Sequence, residues 1–217
     1  MRLRDHHTNK MKQYKGLLAL VAVVLFILSP SVNAGEQTDE EKAITTSNKL
    51  SQSTVLIEPG GLLESGTGFY IEPNLIITNE HVIRSAPSDV KLTNNDGKLC
   101  TGKVGYREES VDLALIETSC TNDTHMTFIA TYDLGQSVLV MGNPRFFPFT
   151  LTRGVVSGSY KGLMQVDAKV NYGSSGGAVA NLDGQVIGII SRRAIDLDYI
   201  GLAIKAADVK KFVERSK

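Results

Sequence analysis

The stretch Asn171–Ile190, NYGSSGGAVANLDGQVIGII, contains two short apolar runs with a turn signal between them. The runs Gly177–Ala180 and Val186–Ile190 have the length and β-branched content of strands, and Asp183-Gly184 is typical of a tight turn. The stretch therefore predicts an antiparallel hairpin that follows a glycine-rich loop. In that loop, two glycines on the carboxyl side and one on the amino side bracket Ser175 and its neighbour Ser174.

The same pattern extends outward from this hairpin over the chain from Ser53 onward. Short β-branched runs alternate with Gly, Pro, Asn and Asp, and no internal repeat is present. About a dozen strands at this spacing predict an all-β sandwich or a pair of barrels rather than alternating α/β units. At the end, Ala207–Val213 carries apolar residues at helical spacing with Lys210, Lys211 and Glu214 outside, which predicts a terminal helix. The further runs are Thr54–Ile57, Thr67–Ile71, Leu75–Thr78, Val90–Leu92, Leu113–Ile116, Val138–Met141, Val155–Ser157, Gly162–Val166 and Ile200–Ile204.

Residues 1–34 differ in composition from the rest of the 217-residue chain. A basic segment precedes the apolar run Leu17–Leu28, and Val32-Asn33-Ala34 offers small side chains where a signal peptidase would cut. A membrane span needs about 20 apolar residues, so this shorter run favours a cleaved signal peptide. Because the charged leader is long, an uncleaved anchor formed by residues 16–29 stays an alternative. A cleaved signal peptide predicts export to the periplasm or outside the cell, whereas an uncleaved anchor predicts attachment to the inner membrane.

The remaining chain divides into a polar stretch and one domain. Residues 35–52 lack strong apolar periodicity and are predicted to be a linker that ends in a short helix at most, and residues 53–217 form the domain. The chain has 23 basic and 23 acidic residues, so its formal net charge is zero. No basic face is apparent after residue 35, which argues against a nucleic-acid partner.

Cys100 and Cys120 are the two cysteines of the chain. They flank a predicted hairpin of Thr101–Tyr106 and Leu113–Thr118 with its turn near Glu108–Ser110, so residues equidistant from the turn would face each other. An exported protein meets an oxidising environment, in which such a pair can form a cross-strand disulfide. Two buried free thiols are the alternative. We expect the disulfide.

Three residues are candidates for nucleophilic catalysis by a serine. A hydroxyl that attacks a carbonyl needs an imidazole to take its proton and a carboxylate to orient that imidazole. Ser175 lies in the glycine-rich loop, which read alone could equally be a flexible turn. His81 follows the apolar strand Leu75–Thr78; the other histidines lie in the leader or in a polar loop, although a lone histidine is more often structural. Asp112 directly precedes the apolar run Leu113–Ile116, where it could also simply begin a strand.

Three motifs around these residues resemble the trypsin-like peptidases of the HtrA/DegP type. They are TNEHVI at 78–83, VDLALIE at 111–117 and QVDAKVNYGSSGGAVANLDGQVIGI at 165–189. The segments MGNPRFFPFTLTRGVVSG at 141–158 and YIGLAIKAADVKKF at 199–212 also match. The resemblance runs from about Ser53 to Phe212. It implies two packed six-stranded β-barrels with a short C-terminal helix.

The resemblance also implies an activity and its residues. Ser175 would be the nucleophile, His81 the general base and Asp112 the orienting acid of a serine endopeptidase that acts on proteins or peptides through an acyl-enzyme. The N–H groups of Gly173 and Ser175 would form the oxyanion hole, and neither a cofactor nor a metal would be needed. Thr78 and Ser191 fall where the family places hydroxyls near these three residues, although either could equally be an ordinary strand Ser or Thr. A catalytically silent binding module and a membrane-tethered assembly factor are the alternatives.

The chain departs from the family pattern in the segments that decide specificity and activation. The specificity pocket should be lined by Lys169–Gly173, Ile190–Arg193 and Gly201–Ala203, with Lys169, Val170, Ile190, Ser191, Leu202 and Ala203 as its main residues. At Lys169, HtrA-like enzymes usually have a small apolar residue, so its ammonium either selects an acidic substrate side chain or swings out to solvent. Ser174 replaces the aspartate that pairs with a new N-terminus in digestive enzymes. We expect a peptidase domain without a PDZ module.

Overall fold

The computed structural model describes residues 37–60, 65–86, 88–145, 147–194 and 197–217. The predicted signal peptide and the alternative anchor at 16–29 lie outside these residues. In the described part of the chain, no helix is long and apolar enough to cross a membrane. Thr38–Lys217 forms one compact unit. Its helices are α1 (Asp39–Ser53), α2 (Glu80–Ile83) and α3 (Ala206–Arg215), with a 3-10 turn at Glu109–Val111.

Six antiparallel strands close into the first barrel in the order β1-β2-β3-β6-β5-β4. Side chains alternate across these strands; in β4, Val90 and Leu92 point into the barrel while their neighbours Asp89 and Lys91 are exposed. The interior is an apolar cluster that includes Ile57 and Tyr70. The strands are β1 (Thr54–Glu58), β2 (Gly66–Glu72), β3 (Leu75–Thr78), β4 (Asp89–Asn94), β5 (Leu99–Glu108) and β6 (Leu113–Thr118).

The second barrel follows in the chain and also closes with six strands. They are β8 (Ser137–Gly142), β9 (Thr150–Tyr160), β10 (Leu163–Val166), β11 (Ala178–Ala180), β12 (Gln185–Ala194) and β13 (Leu197–Lys205). Closure results because β11 pairs with both β8 and β12, and the short β7 (Thr127–Phe128) adds a parallel pairing to β12. The predicted hairpin is β11–β12. The predicted all-β fold of two six-stranded barrels is therefore confirmed.

A separate apolar cluster joins side chains from both barrels. Phe69 and Leu115 of the first barrel and Leu139 and Ile189 of the second barrel belong to it. Phe212 of α3 is fully buried in the same cluster. The predicted terminal helix is confirmed, and its buried apolar face packs into the cluster that joins the two barrels.

The helix α1 differs from the predicted linker at residues 35–52. It has fifteen residues, and Thr38 and Glu41 form a reciprocal capping box at its start. Its buried residues include Ala43, Leu50 and Thr46, whose hydroxyl donates a 2.8 Å hydrogen bond to the carbonyl of Leu182 in the second barrel. The sequence pattern was weak because half of the buried positions carry hydroxyls. The helix therefore belongs to the packed unit.

Cys100 and Cys120 form a disulfide in the structure, with their Cα atoms 6.1 Å apart. The register of β5 and β6 pairs Gly102 with Thr118, which places residues 100 and 120 beside each other beyond the end of the pairing. The turn between the two strands is the 3-10 segment Glu109–Val111, close to the predicted position.

Candidate active site

His81 lies on α2, the single helical turn that follows β3, and its ring faces Asp112. Ring Nδ1 is 2.8 Å from Oδ1 and 3.0 Å from Oδ2 of Asp112, and the backbone N–H of His81 donates to Oδ1 at 3.1 Å. Because an ionised carboxylate only accepts hydrogen bonds, Nδ1 carries the proton of the neutral ring. Nε2 is then the basic nitrogen, and it is on the side of the ring that faces away from Asp112.

Asp112 occupies the left-handed backbone region, with φ 57° and ψ 45°, between the 3-10 turn and β6. This conformation is uncommon for a residue other than glycine, but aspartate and asparagine tolerate it best. Its N–H donates to Glu109 O at 3.1 Å, and its carbonyl accepts from Asn79 Nδ2 at 3.0 Å. The backbone therefore aims the carboxylate back at α2.

The hydroxyl of Ser191, on β12, donates to Oδ2 of Asp112 at 2.7 Å. Burial alone would raise the pKa of Asp112, but the hydrogen bonds from His81 and Ser191 outweigh it and hold this pKa below its ordinary value. The carboxylate thus stays ionised, and it is fixed by donors from both barrels.

Ser175 lies on the loop between Asn171 and β11. Its hydroxyl donates to the carbonyl oxygen of Ser191 at 3.0 Å. Ser175 and His81 line the same cavity of about 400 Å³, together with Ser65, Val82, Ser85, Arg145, Tyr172 and Gly173. The structure thus places His81 of the first barrel and Ser175 of the second barrel at the same cavity.

Two glycines of this loop are required by the backbone. Gly173 has φ +94°, and a Cβ there would overlap the carbonyl oxygen of Asn143. Gly176 has φ +86°, and a Cβ there would overlap the carbonyl oxygen of Thr67. Only glycine satisfies both the positive φ and the close approach at these positions.

The N–H groups of Gly173 and Ser175 donate to no acceptor within the part of the chain that the structure describes. The peptide groups that contain them are nevertheless held at their carbonyl ends. Tyr172 O accepts from Arg145 N at 2.9 Å, and Ser174 O accepts from Gly177 N at 2.9 Å. Since the N–H and C=O of a peptide point in opposite directions, these bonds fix the direction of both free N–H groups.

The family model for the trypsin-like peptidase domain matches residues 66–189. This chain belongs to the trypsin-like peptidase family. The matched segment includes β2 through the first half of β12, and therefore contains His81, Asp112 and Ser175.

Several relatives of this chain are of the HtrA/DegP type. It is 31% identical to the serine protease Do-like HtrA of Bacillus subtilis over 86% of this chain and 46% of the relative. It is 35% identical to a probable periplasmic serine endoprotease, DegP-like, of Chlamydia muridarum over 69% of this chain and 33% of the relative. The chain thus spans less than half the length of these two relatives.

Solved structures resemble this chain over most of its length. A serine endoprotease from Yersinia pestis matches with a TM-score of 0.73 and 26% identity, covering 83% of this chain and 67% of that one. An inactive form of Rv3671c from Mycobacterium tuberculosis matches with a TM-score of 0.69 and 27% identity, covering 79% and 89%. The resemblance to the HtrA/DegP type drawn from the motifs is confirmed.

The residues predicted to line the specificity pocket lie in three different surroundings in the structure. Lys169 is exposed and, with Val170, lines a cavity of about 430 Å³ beside Ser174. Ser191 and Leu202 line a larger cavity of about 770 Å³ that also includes Asp112. Ile190 and Ala203 are buried with Val170 in the core of the second barrel. The structure thus does not gather these side chains around one opening, and their role stays a prediction.

Several residues with direct contacts at the site were missed from the sequence. Asn79 holds the Asp112 carbonyl, and its place within the histidine motif was the available signal. The Thr67 hydroxyl donates to Gly173 O of the nucleophile loop across a separation of 106 residues, and it accepts from the N–H of Asn143, 76 residues away. Thr78, which was considered, donates to Thr67 O at 2.7 Å. Within the described residues, no cluster of His, Cys, Asp or Glu is arranged to hold a metal ion.

Proposed function

We propose that this chain is a serine endopeptidase in which Ser175, His81 and Asp112 act as a catalytic triad. The observation that carries the proposal is the pairing of His81 Nδ1 with Asp112 at 2.8 Å, while His81 and Ser175 line one cavity. This arrangement leaves Nε2 as the base on the side from which a serine hydroxyl can be deprotonated.

In the proposed reaction, Ser175 Oγ attacks the substrate carbonyl and its proton passes to His81 Nε2. Asp112 stabilises the resulting imidazolium because it is held ionised by Ser191. The free N–H groups of Gly173 and Ser175 bind the oxyanion that develops on the substrate. His81 then donates the proton to the leaving amine, and water hydrolyses the acyl-enzyme by the same steps in reverse order.

Catalysis requires Ser175 to leave its partner in the resting structure. Its hydroxyl now donates to Ser191 O, and a rotation about its Cα–Cβ bond would redirect it to His81. Such hydrogen bonds often form only when substrate is bound. The same resting bond favours the second candidate function, a silent trypsin-like module that binds proteins without cleaving them.

Fluorophosphonate labelling separates the two candidates, because the probe reacts only with an activated serine. We expect the protein to be labelled, Ser175→Ala to lose the label and the neighbouring Ser174→Ala to keep it. Cleavage of a peptide library by residues 35–217, with Ser175→Ala beside it, tests the endopeptidase itself. A protein that stays unlabelled but binds unfolded polypeptides would be the silent module.

We propose protein or peptide substrates with an aliphatic residue before the scissile bond. The family resemblance assigns Val170, Ile190, Leu202 and Ala203 to this pocket, with Ser191 at its side. Val170 and Leu202 line cavities, whereas Ile190 and Ala203 are buried behind them in the barrel core. The exposed position of Lys169 supports the outward-pointing alternative for its ammonium. Nothing in the balanced charge of the chain favours a nucleic-acid partner.

We also propose that the peptidase is exported. Residues 1–34 would be a signal peptide, with an uncleaved anchor at 16–29 as the alternative, and the name of the Chlamydia muridarum relative describes a periplasmic protein. The Cys100–Cys120 disulfide fits an oxidising compartment. The proposed peptidase domain at 53–217 is then extended at its N-terminus by the packed helix α1 (Asp39–Ser53). N-terminal sequencing of the mature protein tests cleavage after Ala34.

A further inference from the structure

Thr67, on β2 of the first barrel, directs its hydroxyl and its N–H at the loops of the site. It is fully buried. Its hydroxyl donates to Gly173 O at 2.7 Å and accepts from Asn143 N at 2.8 Å. Its N–H donates to Ser175 O at 2.8 Å, and its carbonyl accepts from Thr78 Oγ1 at 2.7 Å. One side chain and its backbone thus connect the first barrel to two loops of the second.

The carbonyl oxygens of the four consecutive residues Tyr172–Ser175 each accept a hydrogen bond. Arg145 N holds the first and Gly177 N the third, and Thr67 holds the second and the fourth. Of these four bonds, only the one to Gly173 O comes from a side chain. It is therefore the one that a single substitution can remove without a change of backbone.

Rotation of the peptide between Gly173 and Ser174 would disturb the oxyanion hole proposed above. This peptide lies between the N–H of Gly173 and the N–H of Ser175. Its rotation changes ψ of Gly173 and φ of Ser174, and therefore the orientation of the two N–H groups relative to each other. Gly173 has no Cβ and offers little resistance to such a rotation. The N–H of this peptide, on Ser174, donates to Asn171 O at 2.9 Å within the same loop, and the Thr67 hydroxyl holds its carbonyl end from the opposite barrel.

We propose that Thr67 is a positioning residue for the oxyanion hole: its hydroxyl clamps Gly173 O and Asn143 N from the opposite barrel. The inference rests on the proposed function, because it assigns to Thr67 the orientation of the Gly173 and Ser175 N–H groups. Thr67 does not touch the substrate in this assignment. Its effect is transmitted through the backbone of the nucleophile loop.

The chain offers matched variants for a test. Thr67→Val keeps the branched shape and removes the hydroxyl, whereas Thr67→Ser keeps the hydroxyl. The control is Thr54→Val, because Thr54 is also fully buried in the first barrel and its hydroxyl has no partner among the described residues. If Thr67→Val does not fold, Thr67→Ala takes its place.

The first readout compares kcat, KM and inhibition by a peptide aldehyde. Ser175 Oγ adds to the aldehyde carbon while its proton passes to His81, and the resulting oxyanion occupies the hole. We expect Thr67→Val to lower kcat and aldehyde affinity about 10- to 100-fold with KM changed less than about twofold, since loss of a whole oxyanion donor costs about 10²- to 10³-fold. In Thr67→Ser, kcat and aldehyde affinity should stay within about threefold of wild type. In Thr54→Val, both should equal the wild-type values.

The second readout is hydrogen exchange of the segment 171–177, which reports the clamp without catalysis. We expect faster exchange in Thr67→Val than in Thr67→Ser or Thr54→Val. A folded Thr67→Val protein with wild-type kcat and aldehyde affinity would overturn the inference, as would equal losses in Thr67→Ser and Thr67→Val. A wild-type protein that fluorophosphonate does not label would instead overturn the proposed function, and the exchange result would still decide whether Thr67 holds the loop.

Discussion

The Ser191 hydroxyl donates a 2.7 Å hydrogen bond to Asp112 Oδ2, while His81 Nδ1 contacts Oδ1 of the same carboxylate at 2.8 Å. Asp112 is thereby held from the second barrel by Ser191 and from the first by His81. The proposed triad thus depends on the contact between barrels and not only on the loops that carry its members.

Removing the Ser191 hydroxyl should weaken this arrangement. A hydrogen bond to a charged group contributes about 1.5–3 kcal/mol, so we expect Ser191→Ala to lower the free energy of unfolding by about that amount. The pKa of Asp112 should rise, and kcat/KM should fall about 10-fold as the imidazole loses its fixed partner. Urea unfolding and peptide kinetics measure both effects. The exposed Ser88→Ala is the control, and equal behaviour of the two variants would contradict the role of Ser191.

The pH dependence of stability should reveal the ionised Asp112. Its pKa is lower in the folded protein than its ordinary value of 3.8. Its charge therefore stabilises the fold above that ordinary value, and the contribution is lost as the pH falls through the lower folded pKa. The stability difference between wild type and Asp112→Asn should shrink below about pH 4. Unfolding measured between neutral and acid pH tests this, and a difference that grows toward acid would refute it.

Much of the fold could be predicted because its determinants are local. The alternation of Val90 and Leu92 with charged neighbours predicts a strand whose one face is buried, and the structure bears this out. The loop around Ser175 was recognisable because Gly173 and Gly176 must adopt positive φ. Short-range rules are sufficient for such features.

Other features depend on contacts between distant residues. The helix α1 is stabilised by the burial of Leu50 and by the bond from Thr46 to Leu182, 136 residues away, and its own periodicity is weak. The four bonds of Thr67 likewise join segments that no spacing rule connects. The predicted pocket residues Ile190 and Ala203 pack in the barrel core, which requires apolar side chains just as an apolar pocket would. Sequence alone does not distinguish those two demands.

The packing of α1 predicts that Leu50→Ala is strongly destabilising. Leu50 is fully buried in the cluster that joins both barrels, and a Leu→Ala change in a core typically costs about 2–5 kcal/mol. Ile44 lies on the same helix but is 55% exposed, so Ile44→Ala should change the stability far less. Denaturant unfolding of both variants makes the comparison. Equal small effects would mean that α1 is dispensable for the fold.

The disulfide between Cys100 and Cys120 should be formed in protein isolated without a reducing agent. Thiol titration under denaturing, non-reducing conditions should find no free thiol. The bond closes a loop with a sequence separation of 20, and the double variant Cys100→Ser/Cys120→Ser should lose about 3 kcal/mol of stability in the loop-entropy model. Because neither cysteine belongs to the proposed triad or oxyanion hole, the double variant should still cleave peptides at low temperature, where it remains folded. Two titratable thiols would contradict the bond and leave the fold unaffected.

The residue preferred before the scissile bond should be aliphatic and should not depend on Lys169. The Lys169 side chain is exposed, and the cavity that it lines includes Ser174, whereas Ser175 and His81 line another. An ammonium buried in an apolar slot would cost heavily without an acidic partner, which favours its position in solvent. We therefore expect a library profile headed by Val, Ala or Ile in both wild type and Lys169→Ala. A profile headed by Glu, weakened by salt and lost in Lys169→Ala, would instead place the ammonium in the pocket.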